Sequence, residues 1–371
     1  MNIDPQYFID LLLKNGTGFF TGVPDSLLKS FCFLAAKNNH ITAVNEGAAI
    51  ALGAGYYLAT GKIPCVYMQN SGIGNAVNPL LSLTDSEVYS IPIILLIGWR
   101  GEPGVKDEPQ HLKQGKVTCD LFDAMKIPYL VLSDNHEEVK KQLDICYAYL
   151  KKENSPFALI ARKDTFAPLP QENKTKEKTI TREEAIEKII LSSSPDEVYI
   201  CTTGMASREL FELRKKYNMQ KPRDFLTVGS MGHASSIALS IAVFKPNLSV
   251  TCIDGDGALL MHMGNIAAIG ERAPLNLRHI VINNASHDSV GGQPSIAPSI
   301  DFCALAKACG YKQVHSVTAL PELGELCSRK TEGPVFIEVL ASKGNRKDLG
   351  RPDKSPKENK KAFMQCLEGK I

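Results

Sequence analysis

The sequence lacks several features that mark special classes of protein. No apolar run is long enough to span a bilayer, and residues 1–10 lack the basic start and apolar core of a signal peptide. The formal net charge of +2 leaves no reason to expect nucleic-acid or membrane binding. The ten cysteines are scattered and form no Cys-x-x-Cys pair. We therefore expect a soluble protein of a reducing compartment, the cytoplasm.

The chain instead shows short apolar runs that alternate with helical patterns, and its 371 residues suffice for two ordinary domains. Strands are predicted at residues 18–21, 41–44, 64–68, 91–99, 129–132, 157–161, 198–201, 225–228, 249–253, 279–282 and 335–339. Helices are predicted at residues 27–36, 46–59, 137–151, 206–216, 234–244, 259–271 and 320–330. This alternation predicts the α/β class, with two doubly wound parallel sheets that carry helices on both faces.

One stretch interrupts the alternation. Residues 168–180 hold two prolines and a polar run without apolar period, which is typical of an exposed linker. We therefore predict one domain at residues 1–167 and a second at 181–371, with no middle domain between them.

Two polar turns follow apolar strands in the second half. Asp256 follows the strand at 249–253, and Asn284 follows the strand at 279–282. Adjacent parallel strands of a βαβ unit end at the same edge of the sheet, so these side chains should be neighbours. A carboxylate and an amide carbonyl are oxygen ligands that suit Mg²⁺. Gly-Asp-Gly and Asn-Asn are each common in loops, and only their combination at this spacing is informative.

Together the two turns resemble the cofactor motif of thiamine diphosphate enzymes. The resemblance implies that Asp256, Asn284 and the backbone carbonyl of Ser286 hold a Mg²⁺ ion on the diphosphate of the cofactor. Gly255 and Gly257 flank the aspartate, so the turn can bend sharply and the ligand can approach the backbone. On this basis residues 1–167 are a pyrimidine-binding domain and residues 181–371 a diphosphate-binding domain.

Glu46 begins a helix of small and apolar residues. A glutamate in a first turn also favours the helix dipole, but a carboxylate on a buried face needs a partner. In the family, a glutamate in this setting hydrogen-bonds a pyrimidine nitrogen of the cofactor and promotes the tautomer that activates it.

Two turns of the second half fit the same cofactor. The turn at Thr203, Gly204 and Ser207 follows a strand and begins a helix, so it can bind an anion or simply cap the helix. The resemblance implies that it holds the diphosphate. It also implies that Met231 wedges the cofactor into a bent shape and that the Gly229 carbonyl accepts a hydrogen bond from the aminopyrimidine. Without the resemblance, Met231 would be taken as a core residue.

The first half offers further candidates. Ser71 and Gly72 lie in a glycine-interrupted turn that the resemblance places near the reactive ring, although a flexible connection would look the same. Asp25 and His111 are candidates for proton transfer. His111 lies in a long polar stretch, residues 100–115, that we interpret as a loop over the substrate, although surface histidines are common.

Four longer stretches resemble the phosphonopyruvate decarboxylases within this family, and they lie at residues 21–26, 229–234, 287–294 and 346–352. The resemblance implies conversion of 3-phosphonopyruvate to phosphonoacetaldehyde and CO₂ in 2-aminoethylphosphonate biosynthesis. Sulfopyruvate decarboxylase, or another 2-oxo acid decarboxylase of this family, is the alternative. Ala258 departs from the serine that many relatives carry after Gly-Asp-Gly, which removes a phosphate contact but no metal ligand.

The substrate's phosphonate needs a second anion site. We predict that it lies in the basic segment after the last strand, at Arg346, Lys347 or Arg351. The next candidates are His287, Ser289 and Gln293.

The resemblance also implies a homo-oligomer with the cofactor at the subunit interface, because the two cofactor-binding domains of a site come from different chains in the family. Two other classes remain to be weighed. A non-catalytic member of the fold is disfavoured because Glu46, Asp256 and Asn284 are all retained. An acetolactate-type carboligase is disfavoured because it would need a middle domain.

Overall fold

A computed structural model of the chain describes residues 2–169, 180–219 and 221–370. The chain divides between residues 173 and 174 into two compact units, which we describe separately. Most of the predicted linker at 168–180 lies outside the described residues, so its exposure stays a prediction. Within the described ranges, no helix combines the length and the apolar character that a membrane crossing requires.

The first unit is a six-stranded, wholly parallel sheet with helices between its strands. Its elements are α1 (Pro5–Lys14), β1 (Phe20–Gly22), α2 (Lys29–Ala35), β2 (His40–Thr42), α3 (Glu46–Thr60), β3 (Cys65–Gln69), α4 (Ile73–Pro79), β4 (Ile94–Gly98), α5 (Pro109–Ala124), β5 (Tyr129–Val131), α6 (His136–Glu153) and β6 (Phe157–Ala161). A 3₁₀ turn (Asn70–Gly72) precedes α4 and a π-helical turn (Leu80–Thr84) follows it. The strand order is β2-β1-β3-β4-β6-β5.

The second unit is built in the same way. Its elements are α7 (Arg182–Ser192), β7 (Val198–Cys201), α8 (Met205–Lys216), β8 (Asp224–Leu226), α9 (Ala234–Phe244), β9 (Val250–Gly255), α10 (Asp256–Met261), α11 (Asn265–Arg272), β10 (Leu277–Asn283), β11 (Ser286–His287), β12 (Gln293–Pro294), α12 (Phe302–Ala308), β13 (Gln313–Val317), α13 (Leu320–Ser328), β14 (Val335–Leu340) and α14 (Pro356–Leu367). The order of the main sheet is β13-β14-β10-β9-β7-β8, again all parallel, and β11 and β12 form a small antiparallel hairpin.

The two sheets share one topology, which confirms the predicted fold class. Read from its β8 edge, the second sheet runs β8-β7-β9-β10-β14-β13, the same succession that β2-β1-β3-β4-β6-β5 makes in the first. The chain changes direction across the sheet between β1 and β3, and again between β7 and β9. In open α/β sheets ligands bind beyond the carboxyl ends of the strands at such switch points. The loops after these four strands are therefore the places to look for a site.

The central strands are buried on both faces, as parallel strands between helix layers must be. All five residues of β4 and of β6, and all seven of β10, are buried. The helix predicted at 137–151 is α6, whose apolar face buries Val139, Leu143 and Leu150.

Two predicted segments differ from the structure by more than their bounds. The helix predicted at 259–271 is two helices, α10 and α11. The backbone leaves the helical conformation between them at His262, which has φ −135° and ψ 49°. The polar stretch at 100–115 is not all loop, since α5 begins at Pro109. Proline suits a first helical position because its fixed φ is helical and it needs no N–H partner there. His111 therefore lies in the first turn of a helix rather than in a loop.

Candidate active site

The predicted metal ligands of the second unit follow neighbouring strands. β9 and β10 pair in parallel, with Asp254 opposite Val281 and Gly255 opposite Ile282. Asp256 begins α10 and is 3% exposed. The Ser295 hydroxyl donates a hydrogen bond to its Oδ2, and burial raises the pKa of Asp256 to about 6. A cation at this carboxylate would compensate for the lost hydration that raises the pKa.

Asn284 follows β10 and is held at both ends of its amide group. Its Nδ2 donates to Oδ2 of Asp288 at 2.7 Å, and its Oδ1 accepts from the Ser286 N–H at 3.1 Å. The Ser286 hydroxyl oxygen is buried and has no hydrogen-bond partner among the described residues. A buried polar atom without a partner is unusual and indicates a place for a ligand or water.

The hairpin of β11 and β12 lies against the turn formed by Gly255, Asp256 and Gly257. An added Cβ at Gly257 would stand 3.0 Å from the His287 ring and 3.4 Å from Cε of Met231, so these three residues converge. Burial lowers the pKa of His287 to about 4, which leaves its ring neutral at pH 7. Across the hairpin, both polar side-chain atoms of Gln293 are buried and lack a partner within the described residues.

The loop after β7 contacts two neighbouring turns, at Gly229 and at Ser289. Oγ1 of Thr203 accepts from the Gly229 N–H at 2.9 Å, and a Cβ at Gly204 would lie 3.4 Å from Cβ of Ser289. Gly204 and Gly229 have φ of 95° and 75°, a conformation that favours glycine. The Ser207 hydroxyl already donates to the Thr202 carbonyl at 2.7 Å. The structure thus brings the loops after β7, β9 and β10 to one edge of the sheet.

In the first unit, Glu46 begins α3 and is 5% exposed. Its Oε2 accepts a hydrogen bond from Nδ2 of Asn75 at 2.7 Å, and a methyl group at Gly72 would overlap its carboxylate. Burial raises the pKa of Glu46, and the bond from Asn75 opposes that shift. The predicted turn at Ser71 and Gly72 therefore packs directly against this carboxylate, although Ser71 itself is exposed and donates to Gln69.

Asp25 is fully buried in the loop after β1, at the switch point of the first sheet. Gln69 Nε2 donates to its Oδ1 at 2.7 Å, and the Leu27 N–H donates to its Oδ2 at 3.0 Å. Burial raises its pKa, and the hydrogen bond from Gln69 and the charge of Arg100 oppose the shift. This carboxyl group can hold a proton at a higher pH than an exposed aspartate.

Arg100 links Asp25 to His111 in the same unit. It donates to Asp107 through Nε at 2.8 Å and to the Ser26 hydroxyl through Nη1 at 2.9 Å. Burial, and next the charge of Arg100, lower the pKa of His111. Nδ1 of His111 is buried and finds no partner among the described residues. The two side chains predicted for proton transfer thus share a charged neighbour.

The basic segment after β14 contains Arg346, Lys347 and Arg351, the residues predicted to bind the phosphonate. The Arg346 guanidinium binds three carboxylates, those of Glu183 at 2.9 Å, Asp348 at 3.3 Å and Glu212. Its charge is thereby offset within the unit, beside α7 and α8, which counts against the phosphonate role predicted for it. Lys347 and Arg351 are exposed, and their role stays a prediction.

The sequence reasoning missed several residues that hold the predicted ones in place. These are Asn75 on Glu46, Gln69 and Arg100 near Asp25, Ser295 on Asp256, and Asp288 on Asn284. Gln69 and Asn75 lie close in sequence to the predicted turn at Ser71 and Gly72, and Asp288 follows Asn284 by four residues. Nothing in the sequence marked Ser295, which reaches Asp256 only through the hairpin.

A second group of metal-ligand types lies in the core of the second unit. Cys252, Asp254 and His279 bring ligand atoms within 4.8 Å of one another. Both ring nitrogens of His279 have partners, the Tyr311 hydroxyl at 3.0 Å and Asp254 Oδ2 at 3.4 Å. Burial raises the pKa of the Cys252 thiol well above its usual value. We interpret the group as a hydrogen-bonded buried network.

The donor set at the edge of the second sheet fits the cofactor that the sequence indicated. Asp256 and Asn284 supply a carboxylate and an amide carbonyl after two paired strands, and the turn at Gly204 packs against Ser289 of the loop that follows β10. Mg²⁺ accepts one or two protein carboxylates together with phosphate oxygens. The unpartnered Ser286 and Gln293 atoms leave hydrogen-bonding capacity for a ligand at the same edge.

Comparison with known proteins agrees with this geometry. The family model described as thiamine pyrophosphate enzyme, N-terminal TPP binding domain, matches residues 5–125, and the C-terminal TPP binding domain matches residues 202–339. A phosphonopyruvate decarboxylase of Streptomyces viridochromogenes is 34% identical over an aligned length of 370, and the match covers 94% of this chain and 91% of the relative. One of Streptomyces hygroscopicus is 33% identical, with 94% and 90% covered.

A sulfopyruvate decarboxylase of Methanosarcina acetivorans is 28% identical over an aligned length of 392, and the match covers 98% of this chain and 97% of the relative. These relatives span nearly the whole chain, and both halves match the cofactor-binding domains of one family. The chain therefore belongs to the thiamine pyrophosphate enzymes, among the thiamine pyrophosphate-dependent decarboxylases.

Proposed function

We propose that the protein converts 3-phosphonopyruvate to phosphonoacetaldehyde and CO₂ with thiamine diphosphate and Mg²⁺, as a step towards 2-aminoethylphosphonate. The observation that carries the proposal is the likeness, over 94% of the chain, to two proteins named phosphonopyruvate decarboxylase. The geometry supports it because buried acids follow β1 and β9, at the switch points of the two sheets, and unpartnered polar atoms follow β10 beside the second of these.

Asp256, the Asn284 side chain and the Ser286 carbonyl would hold the Mg²⁺ ion, and the turn at Thr203 and Gly204 would hold the diphosphate. Bound there, thiamine diphosphate supplies an electron sink for the charge that remains when CO₂ leaves a 2-oxo acid. Gly229 and Met231 would orient the cofactor, since the Met231 side chain lies next to Gly257, which follows the proposed metal ligand Asp256.

Glu46 and Asp25 have separate tasks in this proposal. The Glu46 carboxyl group would share a proton with a ring nitrogen of the cofactor, and its raised pKa suits a group that must hold that proton. Asp25 is also buried with a raised pKa, so it would deliver a proton to the product carbon. His111, with a lowered pKa and an unpartnered Nδ1, would accept or pass on the proton as a neutral ring.

We place the phosphonate of the substrate near His287, Ser289 and Gln293. Gln293 has unpartnered buried donor and acceptor atoms, and Ser289 lies against the diphosphate turn. Lys347 and Arg351 remain candidates because both are exposed cations beyond the carboxyl end of β14.

We also propose a homo-oligomer with cofactor sites shared between subunits, in a reducing compartment such as the cytoplasm. Glu46 lies in the first unit and Asp256 in the second, and the family resemblance implies that the two come from different chains. All ten cysteines are free thiols, which supports the reducing compartment.

The test is a side-by-side assay of CO₂ release from phosphonopyruvate, sulfopyruvate and pyruvate, with and without thiamine diphosphate and Mg²⁺. We expect the largest kcat/KM for phosphonopyruvate and no turnover without the cofactor. A larger kcat/KM for sulfopyruvate would assign the alternative that the Methanosarcina relative represents. Turnover that is independent of thiamine diphosphate would overturn the mechanism.

A further inference from the structure

We infer that Asp288 is a positioning residue that selects the orientation of the Asn284 amide and thereby sets the affinity for Mg²⁺. The inference rests on the proposed metal site and concerns residues outside the predicted ligand set. Asp288 lies in the 3₁₀ turn (Asp288–Val290) between β11 and β12, four residues after Asn284. Its side chain is 8% exposed.

Three donors converge on one oxygen of Asp288. Its Oδ2 accepts from Nδ2 of Asn284 at 2.7 Å, from the Gly344 N–H at 2.9 Å and from Nη1 of Arg182 at 3.2 Å. They come from the loop after β10, from the segment after β14 and from the first turn of α7. Asp288 thus joins three elements beside the proposed metal site.

The chemistry of this contact decides which way the Asn284 amide faces. An asparagine side chain carries a carbonyl on one side and an NH₂ group on the other, and the two have nearly the same shape. An ionised aspartate has only acceptor oxygens, so it can bind only the NH₂ side. With Nδ2 held by Asp288, Oδ1 must face the other way, where it also accepts from the Ser286 N–H. The amide therefore presents its oxygen, the atom that a cation needs, and not its NH₂ group.

A buried ion pair keeps Asp288 in place. Arg182 donates to Glu209 through Nε at 2.7 Å and through Nη2 at 2.9 Å, which leaves Nη1 for Asp288. The side chains of Arg182 and Glu209 are 9% and 1% exposed. Glu209 offsets the charge of Arg182, so the cluster keeps the net negative charge of Asp288 next to a site for a divalent cation. Groups that orient metal ligands in this way typically change metal affinity by about 10- to 100-fold when they are removed.

The test is calorimetric titration of Mg²⁺ into the protein at saturating thiamine diphosphate. We expect Asp288→Ala to raise the Mg²⁺ dissociation constant by about 10- to 100-fold, because only the Ser286 N–H then holds the orientation of the Asn284 amide. Asp288→Asn should recover most of the affinity, since all three donors point at one oxygen and an amide oxygen can replace it.

Glu197→Ala is the matched control. Glu197 pairs with Arg278 at 3.1 Å in the same unit, and the two side chains are 4% and 3% exposed. This variant removes a buried carboxylate from an arginine, as Asp288→Ala does, so it should lower the melting temperature yet leave the Mg²⁺ dissociation constant unchanged. An unchanged constant in Asp288→Ala, or an equal shift in Glu197→Ala, would overturn the role of Asp288 and leave the proposed function standing. Absence of Mg²⁺ binding in the wild-type protein would overturn the metal site itself.

Discussion

Three acidic side chains of the candidate sites are buried, and burial raises the pKa of each. Asp25 is fully buried, whereas Glu46 and Asp256 are 5% and 3% exposed. Each also accepts a hydrogen bond: Asp25 from Gln69, Glu46 from Asn75 and Asp256 from Ser295. Burying an acid costs stability even when hydrogen bonds offset part of the cost, so three buried acids at the candidate sites call for a functional reason. We assign the proton of Asp25 and Glu46, and the charge of Asp256, to the reaction.

The first prediction concerns Glu46. Glu46→Gln should keep the melting temperature close to that of the wild-type protein, because an amide fills the same space without the desolvation cost of a charge. Its kcat at saturating thiamine diphosphate and Mg²⁺ should fall by at least about 10²-fold, as is typical when an acid–base group is lost. Near-normal turnover would show that Glu46 serves only the start of α3.

The second prediction separates the two candidate phosphonate sites. A hydrogen bond to a charged group contributes roughly 1.5–3 kcal/mol, so Gln293→Ala should lower kcat/KM for phosphonopyruvate by about 10- to 150-fold. The loss should be smaller for pyruvate, which has no phosphonate. Arg346→Ala should lower kcat/KM for phosphonopyruvate and for pyruvate equally, or leave both unchanged, because the Arg346 guanidinium already binds carboxylates. A selective loss in Arg346→Ala would restore the basic segment as the phosphonate site.

At the scale of elements, two turns of the first unit pack so closely on the candidate carboxylates that an added methyl group would overlap them. The 3₁₀ turn (Asn70–Gly72) lies on the Glu46 carboxylate, and β4 ends at Gly98, where an added methyl group would overlap Asp25. Asn70 donates to the Arg100 carbonyl and to the Thr118 hydroxyl, both at 2.8 Å. The loops after β3 and β4 are therefore held together with α5.

The third prediction uses two glycines of one segment. Gly72 has φ −78° and ψ −13°, so alanine fits its backbone, but the new methyl group would push the Glu46 carboxylate aside. We expect Gly72→Ala to lower kcat by about 10- to 100-fold, since a displacement of about 1 Å can cost that much. Gly74 in α4 has nothing within 4 Å of an added Cβ. Gly74→Ala should leave kcat unchanged and stabilise the protein by at most about 1 kcal/mol.

Steady-state kinetics and thermal melts of both variants provide the measurement. Equal kcat values in the two variants would show that the turn at Gly72 does not position Glu46. A fall in both would indicate a general effect on α4 rather than a contact with the carboxylate.

At the scale of the whole molecule, one architecture occurs twice, and each copy places polar turns at the carboxyl edge of its sheet, at or next to its switch point. The first copy carries Glu46 and Asp25, and the second carries Asp256 and Asn284. Neither copy has the full set of groups that the proposed reaction needs. The reaction therefore requires both kinds of unit.

The fourth prediction tests whether the site is shared between chains. Glu46→Gln lacks the proton-holding group, and Asp256→Ala should lose thiamine diphosphate binding, so each variant alone should be inactive. In a mixture that exchanges subunits, some sites would combine an intact first unit with an intact second unit from the other chain. We expect activity to return in that mixture. Exchange shown by mass spectrometry without any return of activity would contradict the shared site.

Sequence reasoning located much of the candidate site because the relevant groups lie next to short-range patterns. Asp256, Asn284 and Glu46 each follow or begin an element whose apolar or small-residue pattern is visible within about ten residues. The order of strands and turns then placed Asp256 and Asn284 at one edge, and the register of β9 with β10 agrees. Exact element ends were less predictable, as at His262, where a helical pattern continues across a break.

The amino-acid sequence by itself determined the two α/β halves, the polar turns after their strands and the family, because strand, turn and cofactor motifs are local. Tertiary structure alone decided which charges are neutralised and which polar atoms stay unpartnered. Arg346 meets Glu183, which lies 163 residues away, and Asp288 meets Gly344, 56 residues away. Such contacts depend on how helices and loops pack over the sheet, and no short-range pattern encodes them.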